Sequence, residues 1–440
     1  MAPADSRVQP AGTHRHPGTR SGDGYPYAHH EVLQVRIGAT ATGRPTDPAT
    51  VMSAIALSVA GGTAVTRPQL AQTTTLARST IESSLSSLVR SGIVVEEGPT
   101  RQSRYGRPAT RLSLGDDVGA VLFAGVTPHH LRLVVAGLDQ RIRATSYVEY
   151  DVAAGPGPAV DAIERGFTGL LAEAGEPARR CQVLVVSVTG PVDVHRGVAV
   201  RPPIMPGWDE FPLAESLRER LGCPVLVDND VNLMALGESR ALAPDQLPLL
   251  LVKVGTGIGG GIVAGNGELI RGADGSAGDI GHIRVGQVED VVCTCGNLGC
   301  VEAVASLEAI ARTLAATDGG PVSQARVLDL VRTGDGTATR IVRDAAASIG
   351  EIVAALVHFF NPARVVLAGR LASVSDDLLA GVRSVVYRRA LPLATRNLTI
   401  AHSVLGAEAG LVGGLVVGIE YALGPGRIED LRNERLAARR

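Results

Sequence analysis

The chain is 440 residues long, more than one core usually holds, because single domains stop growing near about 250–300 residues. With 45% hydrophobic and 20% charged residues it can bury a large interior, which excludes a disordered or fibrous chain. The formal net charge of −2 gives the whole molecule no attraction for nucleic acid, so any basic footprint has to be local.

Residues 1–48 are rich in Gly, Pro, Thr, His and Arg without periodicity, and they read as a disordered tail. From Ala49 the texture changes. Met52, Ile55, Ala56 and Val59 recur at helical spacing, and Gly61-Gly62 ends that helix. Thr66 and Gln69 fit a capping box that opens a second helix running to about Thr74. A third helix is predicted over residues 78–90, with Ile81, Leu85 and Leu88 on one face and Gly92 closing it. Strands at 93–95 and 110–113 flank a polar loop. Three helices and a hairpin within residues 49–114 follow the order of a winged helix-turn-helix.

That segment carries a local basic footprint. Seven arginines (67, 78, 90, 101, 104, 107 and 111) stand against three glutamates (82, 96 and 97), so 7 − 3 leaves +4. The predicted solvent face of the third helix presents Arg78, Ser79, Thr80, Ser83 and Ser84, short side chains that let a helix approach a major groove. Arg101, Arg104 and Arg107 at the wing tip suit a phosphate backbone or a minor groove.

Past Gly115 the pattern becomes α/β. Strand-like runs at 121–126, 131–138, 183–188, 225–227, 249–254, 261–263 and 365–368 alternate with helical stretches at 158–174, 212–221, 302–316, 340–358 and 407–423. Two such blocks across residues 115–425 predict two lobes around a cleft, with a boundary near residue 240. An internal repeat is too faded to read. Residues 426–440 read as a C-terminal tail. Aromatics are only 3%, so the core is built from Val, Leu, Ile and Ala. The only lysine, Lys253, stands among many arginines and reads as a GC-rich coding bias. No apolar run reaches the length of a membrane span, and the first twenty residues lack a signal-peptide core, so a cytoplasmic protein is expected.

Of five cysteines, Cys181 and Cys223 are isolated in apolar surroundings and read as inert small hydrophobes. The other three fall within eight residues, Cys293-Thr294-Cys295-Gly296-Asn297-Leu298-Gly299-Cys300. In a reducing compartment that spacing favours a metal site over disulfides.

Three segments resemble the ROK family of repressors and sugar kinases: Asp228-Asn229-Asp230-Val231-Asn232, Gly278-Asp279-Ile280-Gly281-His282, and the cysteine run with Glu302 two residues after it. The order and separation of all three match the family over about residues 115–425, and the segment in front matches its transcriptional regulators. The resemblance implies an actin-like, two-lobed sugar-kinase fold preceded by a winged helix-turn-helix. It also implies a closed structural zinc site of Cys293, Cys295, Cys300 and His282, a donor set that zinc prefers in tetrahedral form. Asn229, Asp230, Asp279, His282 and Glu302 correspond to the family's sugar contacts, although Asp279 is one methylene shorter than the glutamate usual in the kinases.

Whether phosphoryl transfer survives depends on the phosphate loops. The glycine-rich run Gly255-Thr256-Gly257-Ile258-Gly259-Gly260-Gly261 after an apolar strand could wrap phosphates, a weak nucleotide loop in which Gly255, Thr256 and Gly257 are the candidate contacts. In the first loop Gly125 stands where the kinases carry an aspartate, and Pro128 removes a backbone donor. Asp230 is then a vestigial base. The expectation is a sugar-responsive repressor without enzymatic activity, binding operator DNA and a sugar effector as a homodimer or homotetramer. A zinc-containing sugar kinase with a DNA-binding appendix is the alternative, and a DNA binder with a relic pocket a third possibility.

Overall fold

The computed structural model describes residues 35–38, 47–74, 76–99, 109–177, 180–286 and 290–439. The wing-tip arginines Arg101, Arg104 and Arg107 lie outside them, as does most of the expected N-terminal tail.

The chain opens with α1 (Pro48–Ala60), α2 (Arg67–Thr74) and α3 (Arg78–Ser91), followed by the antiparallel hairpin of β1 (Val94–Pro99) and β2 (Thr110–Leu114). Local chemistry sets these boundaries. Asp47 caps α1 by accepting from the Thr50 amide at 2.9 Å. Thr66 accepts from the Gln69 amide at 3.4 Å, while Gln69 reaches back to the Val65 amide at 3.0 Å, one residue earlier than a regular capping box requires. Gly92 ends α3 in the left-handed conformation at φ 69°. Met52, Ile55, Val59, Ile81, Leu85, Leu88 and Leu112 share one core under this head.

The first lobe contains β3 (Ala120–Val126), β4 (His130–Gly137), β5 (Ile142–Glu149), α4 (Pro156–Glu173) and β6 (Cys181–Val188). It continues through a small hairpin, β7 (Val192–Asp193) with β8 (Val198–Ala199), to α5 (Leu213–Leu221) and β9 (Val225–Asn229). Helix α6 (Asp230–Ala241) leads into the second lobe, which starts with β10 (Leu249–Val254) and β11 (Ile258–Val263). Then come α7 (Val301–Ala305), α8 (Leu307–Asp318), α9 (Gln324–Thr333), α10 (Gly336–Phe360), β12 (Arg364–Ala368), α11 (Asp376–Arg389), α12 (Pro392–Thr395) and β13 (Thr399–His402). The chain returns through α13 (Ala409–Ala422) and ends in α14 (Pro425–Ala438).

The sheets reveal the repeat that the residues conceal. The first is ordered β5-β4-β3-β6-β9 and the second β11-β10-β12-β13. In each, a hairpin's first strand pairs parallel with the strand after a crossover, which pairs parallel with one more. The first sheet adds β5 at its edge. The two hairpin turns, at 127–129 and 255–257, therefore occupy equivalent places.

Three expectations need correction. Residues 258–261 belong to β11 and not to a glycine-rich loop. The expected C-terminal tail, 426–440, is helical over residues 426–438. Helix α14 buries Ile428 and Leu431, and Arg435 donates to the Ser91 carbonyl at 3.0 Å and to the Asp117 carboxylate at 2.6 Å. Finally, residues 35–38 within the expected N-terminal tail are docked, with Val35 and Ile37 buried. Among the described residues no single helix is long and apolar enough to cross a membrane.

Leu431 is 2% exposed, so Leu431→Ala should destabilise the seat of the head by about 2–5 kcal/mol. Amide hydrogen exchange of the full chain checks this, with faster exchange expected in α1 and α3 than in β10 or β12.

Candidate functional site

The cleft is organised at the point where β9 becomes α6. Asn229 is extended, and its side-chain oxygen accepts from the amides of Val231 (2.9 Å) and Asn232 (3.1 Å), which caps α6. Its amide nitrogen donates to the Gly190 carbonyl at 2.8 Å. Asp228 is buried and accepts from the Asn229 amide, from Asn232 Nδ2, and from Arg271 through Nε (3.0 Å) and Nη2 (2.6 Å). These bonds fix the backbone that aims Asp230.

Asp230 is the first residue of α6. Its Oδ2 accepts from Lys253 Nζ at 2.5 Å and from Thr189 Oγ1 at 3.5 Å. Its Oδ1 is buried and meets no hydrogen-bond donor among the described residues. An unsatisfied buried carboxylate oxygen is costly, so this atom is suited to a ligand hydroxyl. The lone lysine is thus a member of the cleft, and composition alone misassigned it. Asp228, Arg271 and Thr189 were also missed as site residues.

Across the cleft the turn between β10 and β11 is closed by the Gly255 amide on the Gly257 carbonyl at 3.0 Å. Glu302 Oε2 accepts from the Ile258 amide at 2.9 Å, and a Cβ at Gly257 would lie 2.4 Å from that oxygen. One carboxylate oxygen of Glu302 therefore braces the turn. Thr256 donates to Gln324 Oε1 at 3.0 Å. In the equivalent turn of the first lobe, Thr127 Oγ1 donates to the His130 carbonyl at 2.8 Å and accepts from the His130 amide at 3.2 Å. Gly125 lies within β3 opposite Arg132, and a Cβ there would stand 3.2 Å from the Phe123 ring. No carboxylate faces the cleft from this position.

The thiol cluster is compact. Ligand atoms of His282, Cys293, Cys295 and Cys300 all lie within 4.8 Å of one another. A tight turn at Gly296 (φ 89°) brings the Cys293 amide onto the Asn297 carbonyl at 2.8 Å. Cys295 Sγ and Cys300 Sγ are 3.8 Å apart, and Cys293 Sγ is 3.5 Å from His282 Nδ1. A tetrahedral ion bonded to sulfur at about 2.3 Å has S···S edges of about 3.8 Å, so these four residues could hold a metal ion. Burial and the neighbouring Cys295 and Cys293 push Cys300 up to about 12, and its thiolate form needs a cation beside it. With Nδ1 turned to the thiols, His282 Nε2 faces Asp279 Oδ1 at 4.0 Å. Burial pushes Cys181 up to about 12 and Cys223 up to about 11, as expected of inert thiols.

On the head, Arg78, Ser79, Thr80 and Ser83 are exposed on α3 and Ser84 is half-buried. The acidic residues of that segment are taken: Arg67 pairs with Glu82 (3.1 Å) and Glu96 (2.6 Å), and Arg111 with Glu97 (3.4 Å).

Two repeated lobes around such a cleft define an α/β protein of the actin-like, sugar-kinase class. The ROK family matches residues 125–419, and the chain belongs to that family. It is 36% identical over 225 residues to a glucokinase of Halalkalibacterium halodurans, across 47% of this chain and 67% of that protein. It is 29% identical over 369 residues to a putative xylose repressor of a Caldicellulosiruptor species, across 79% and 90%. Among solved structures it is similar to a ROK family transcriptional regulator homologous to the E. coli MLC protein, with TM-score 0.72, 21% identity and coverage of 89% and 99%. It is also similar to a ROK family glucokinase from Streptomyces griseus in complex with glucose and AMPPNP, with TM-score 0.57, 27% identity and coverage of 68% and 99%.

Because Asp228 gathers Arg271 and two amide donors, Asp228→Ala should lower stability by roughly 2–3 kcal/mol. Denaturant unfolding checks it, and Asp279→Ala, at a half-exposed position, should leave the curve nearly unchanged.

Proposed function

We propose that the chain is a sugar-responsive, DNA-binding transcriptional regulator, acting as a repressor. One observation carries this reading: a three-helix-and-hairpin head, clamped by α14, rides on a sugar-kinase fold whose first phosphate turn has no carboxylate at position 125. The similarity to a regulator's structure over 89% of the chain, against 68% for the glucokinase structure, supports it. So does the relative named as a putative xylose repressor, aligned over 79% of the chain.

A sugar would sit between Asp230, Asp279, His282, Glu302 and Asn229. Asp230 Oδ1 accepts from one hydroxyl, and the remaining amide hydrogen of Asn229 donates to another. A pocket of committed polar groups rejects isomers that leave any of them unpaired. His282, Cys293, Cys295 and Cys300 would hold zinc, which supplies a cross-link of the loop and takes no part in a reaction. With Nδ1 on the thiol side, Nε2 of His282, 4.0 Å from Asp279 Oδ1, would be left for a sugar hydroxyl.

The kinase reading is less well supported. Thr127 spends its hydroxyl on its own turn, Pro128 offers no N–H, and Asp230 Oδ2 is already occupied by Lys253 and Thr189. Orders of magnitude in rate should vanish with the missing carboxylate. A coupled ADP-release assay over a hexose panel decides this: turnover below about 1 s⁻¹ is expected, and faster steady turnover means a kinase.

DNA binding would use the exposed face of α3 and the wing, with two heads reading paired half-sites in a dimer or higher oligomer. Fluorescence anisotropy with duplexes from the upstream region of its own locus should give saturable binding, and its absence at moderate salt rejects the repressor. Arg78→Ala should weaken that binding and lower the salt slope by about 1, with metal content unchanged. Cys295→Ala should reduce bound zinc from one per chain to near zero by elemental analysis and abolish the sugar response, while duplex binding without sugar persists.

A further inference from the structure

We propose that residues 35–38 are a link that carries the state of the cleft to the head, with Arg36 as its positioning residue. The proposal rests on the regulator reading above and names the route by which the two sites communicate.

The segment is gripped from two sides. On one side, Gln140 in the first lobe's turn between β4 and β5 accepts from the Val35 amide at 3.1 Å and donates to the Val35 carbonyl at 3.0 Å. The same Nε2 donates to the Ala60 carbonyl at the end of α1 at 2.8 Å. Gln140 is buried and holds φ 67°, a left-handed conformation rare for a residue with a Cβ. Such strain persists where surrounding bonds over-determine it. Gly61 packs so closely on the link that a Cβ would lie 2.7 Å from the Ile37 amide nitrogen.

On the other side, Arg36 Nη2 donates to the carbonyls of Ser239 (2.6 Å) and Leu242 (2.7 Å) at the C-terminal end of α6, where a cation offsets carbonyls left without helical partners. The Arg36 amide donates to the Arg240 carbonyl at 3.3 Å. Glu420 on α13 accepts from the Gly38 amide at 2.9 Å and from Arg240 Nη2 at 2.8 Å. Arg240 Nη1 donates to the Gly267 carbonyl at 2.8 Å, and its side chain is only 1% exposed. Burial and the adjacent Arg240 lower the Arg36 guanidinium from its usual value, as two like charges held together should.

The geometry closes a circuit. Helix α6 begins at Asp230 in the cleft and ends at the carbonyls that Arg36 holds. Its 12 residues span about 18 Å as a rigid rod. It also connects the lobes, following β9 and leading to β10. Any displacement of Asp230 on closure of the lobes moves the far end of α6, and Arg36 passes that displacement to the segment on which α1 is seated.

The test uses the full chain, Arg36→Met, and hydrogen–deuterium exchange with D-glucose and D-xylose as probes. In the wild type, a sugar that protects peptides 255–282 should also change exchange in α1. In Arg36→Met the cleft should still be protected and give the same thermal shift, while the α1 response falls by about threefold or more. If that variant does not fold, Arg36→Lys, which keeps the charge on a shorter side chain, should give an intermediate α1 response. An undiminished α1 response in a folded variant overturns the link, as does a wild type whose cleft responds while α1 does not. Absence of any cleft response to either sugar instead rejects the sugar-sensor reading, and the link with it.

Discussion

The change of direction at Asn229 governs the rest of the molecule. A parallel strand must stop and a helix must start within one residue, and the first helical amides need acceptors. Asn229 supplies an acceptor for two of them while its nitrogen holds the Gly190 carbonyl. Asp228, one residue earlier, is anchored by Arg271 from the second lobe's glycine-rich excursion. Asp230 follows directly, so its direction is set by neighbours on both sides before any ligand arrives. Preorganisation of this kind keeps the ordering cost out of the binding step.

Legibility followed the range of the interactions. The head was legible because Met52, Ile55 and Val59, then Ile81, Leu85 and Leu88, repeat at the helical period over short distances. The thiol site was legible because three donors lie within eight residues. Helix α6 was not, since Asn232, Glu238, Ser239 and Arg240 are buried and erase the contrast between faces. Glu238 is wholly buried because the 403–405 turn donates to it, a partnership about 165 residues away that no local pattern announces. The same holds for α14: its two buried residues, Ile428 and Leu431, meet a surface made near the opposite end of the chain. Strand β5 alternates weakly because it is an edge strand with half-exposed positions.

The two hairpin turns show how one topology diverges in chemistry. The second-lobe turn keeps Gly255 and Gly257, the latter forced by the Glu302 carboxylate against it. The first-lobe turn has committed its hydroxyl internally and has a proline in place of a donor. Phosphate binding by backbone amides needs several N–H groups converging on one point. Only the second-lobe turn has two glycines and no proline, so two topologically equivalent turns differ in the backbone donors they can offer.

The contact between α6 and α13 constrains how the lobes can move. A Cβ at Gly413 would fall 1.8 Å from the Leu233 carbonyl oxygen, and one at Gly237 would fall 2.2 Å from that of Ala409. Backbones this close leave no room for one helix to slide along the other, since packed surfaces do not deform continuously. Sliding of α6 along α13 is thereby opposed. Two attachments of the head lie at the ends of this pair: the segment 35–38 on Ser239, Leu242 and Glu420, and α14 directly after α13. Rotation about a tight helix crossing has its largest effect far from the axis and at the helix ends. Under the proposed link, a small change in the cleft would reach the head as a displacement, and the bonds at those ends would set how much of it arrives.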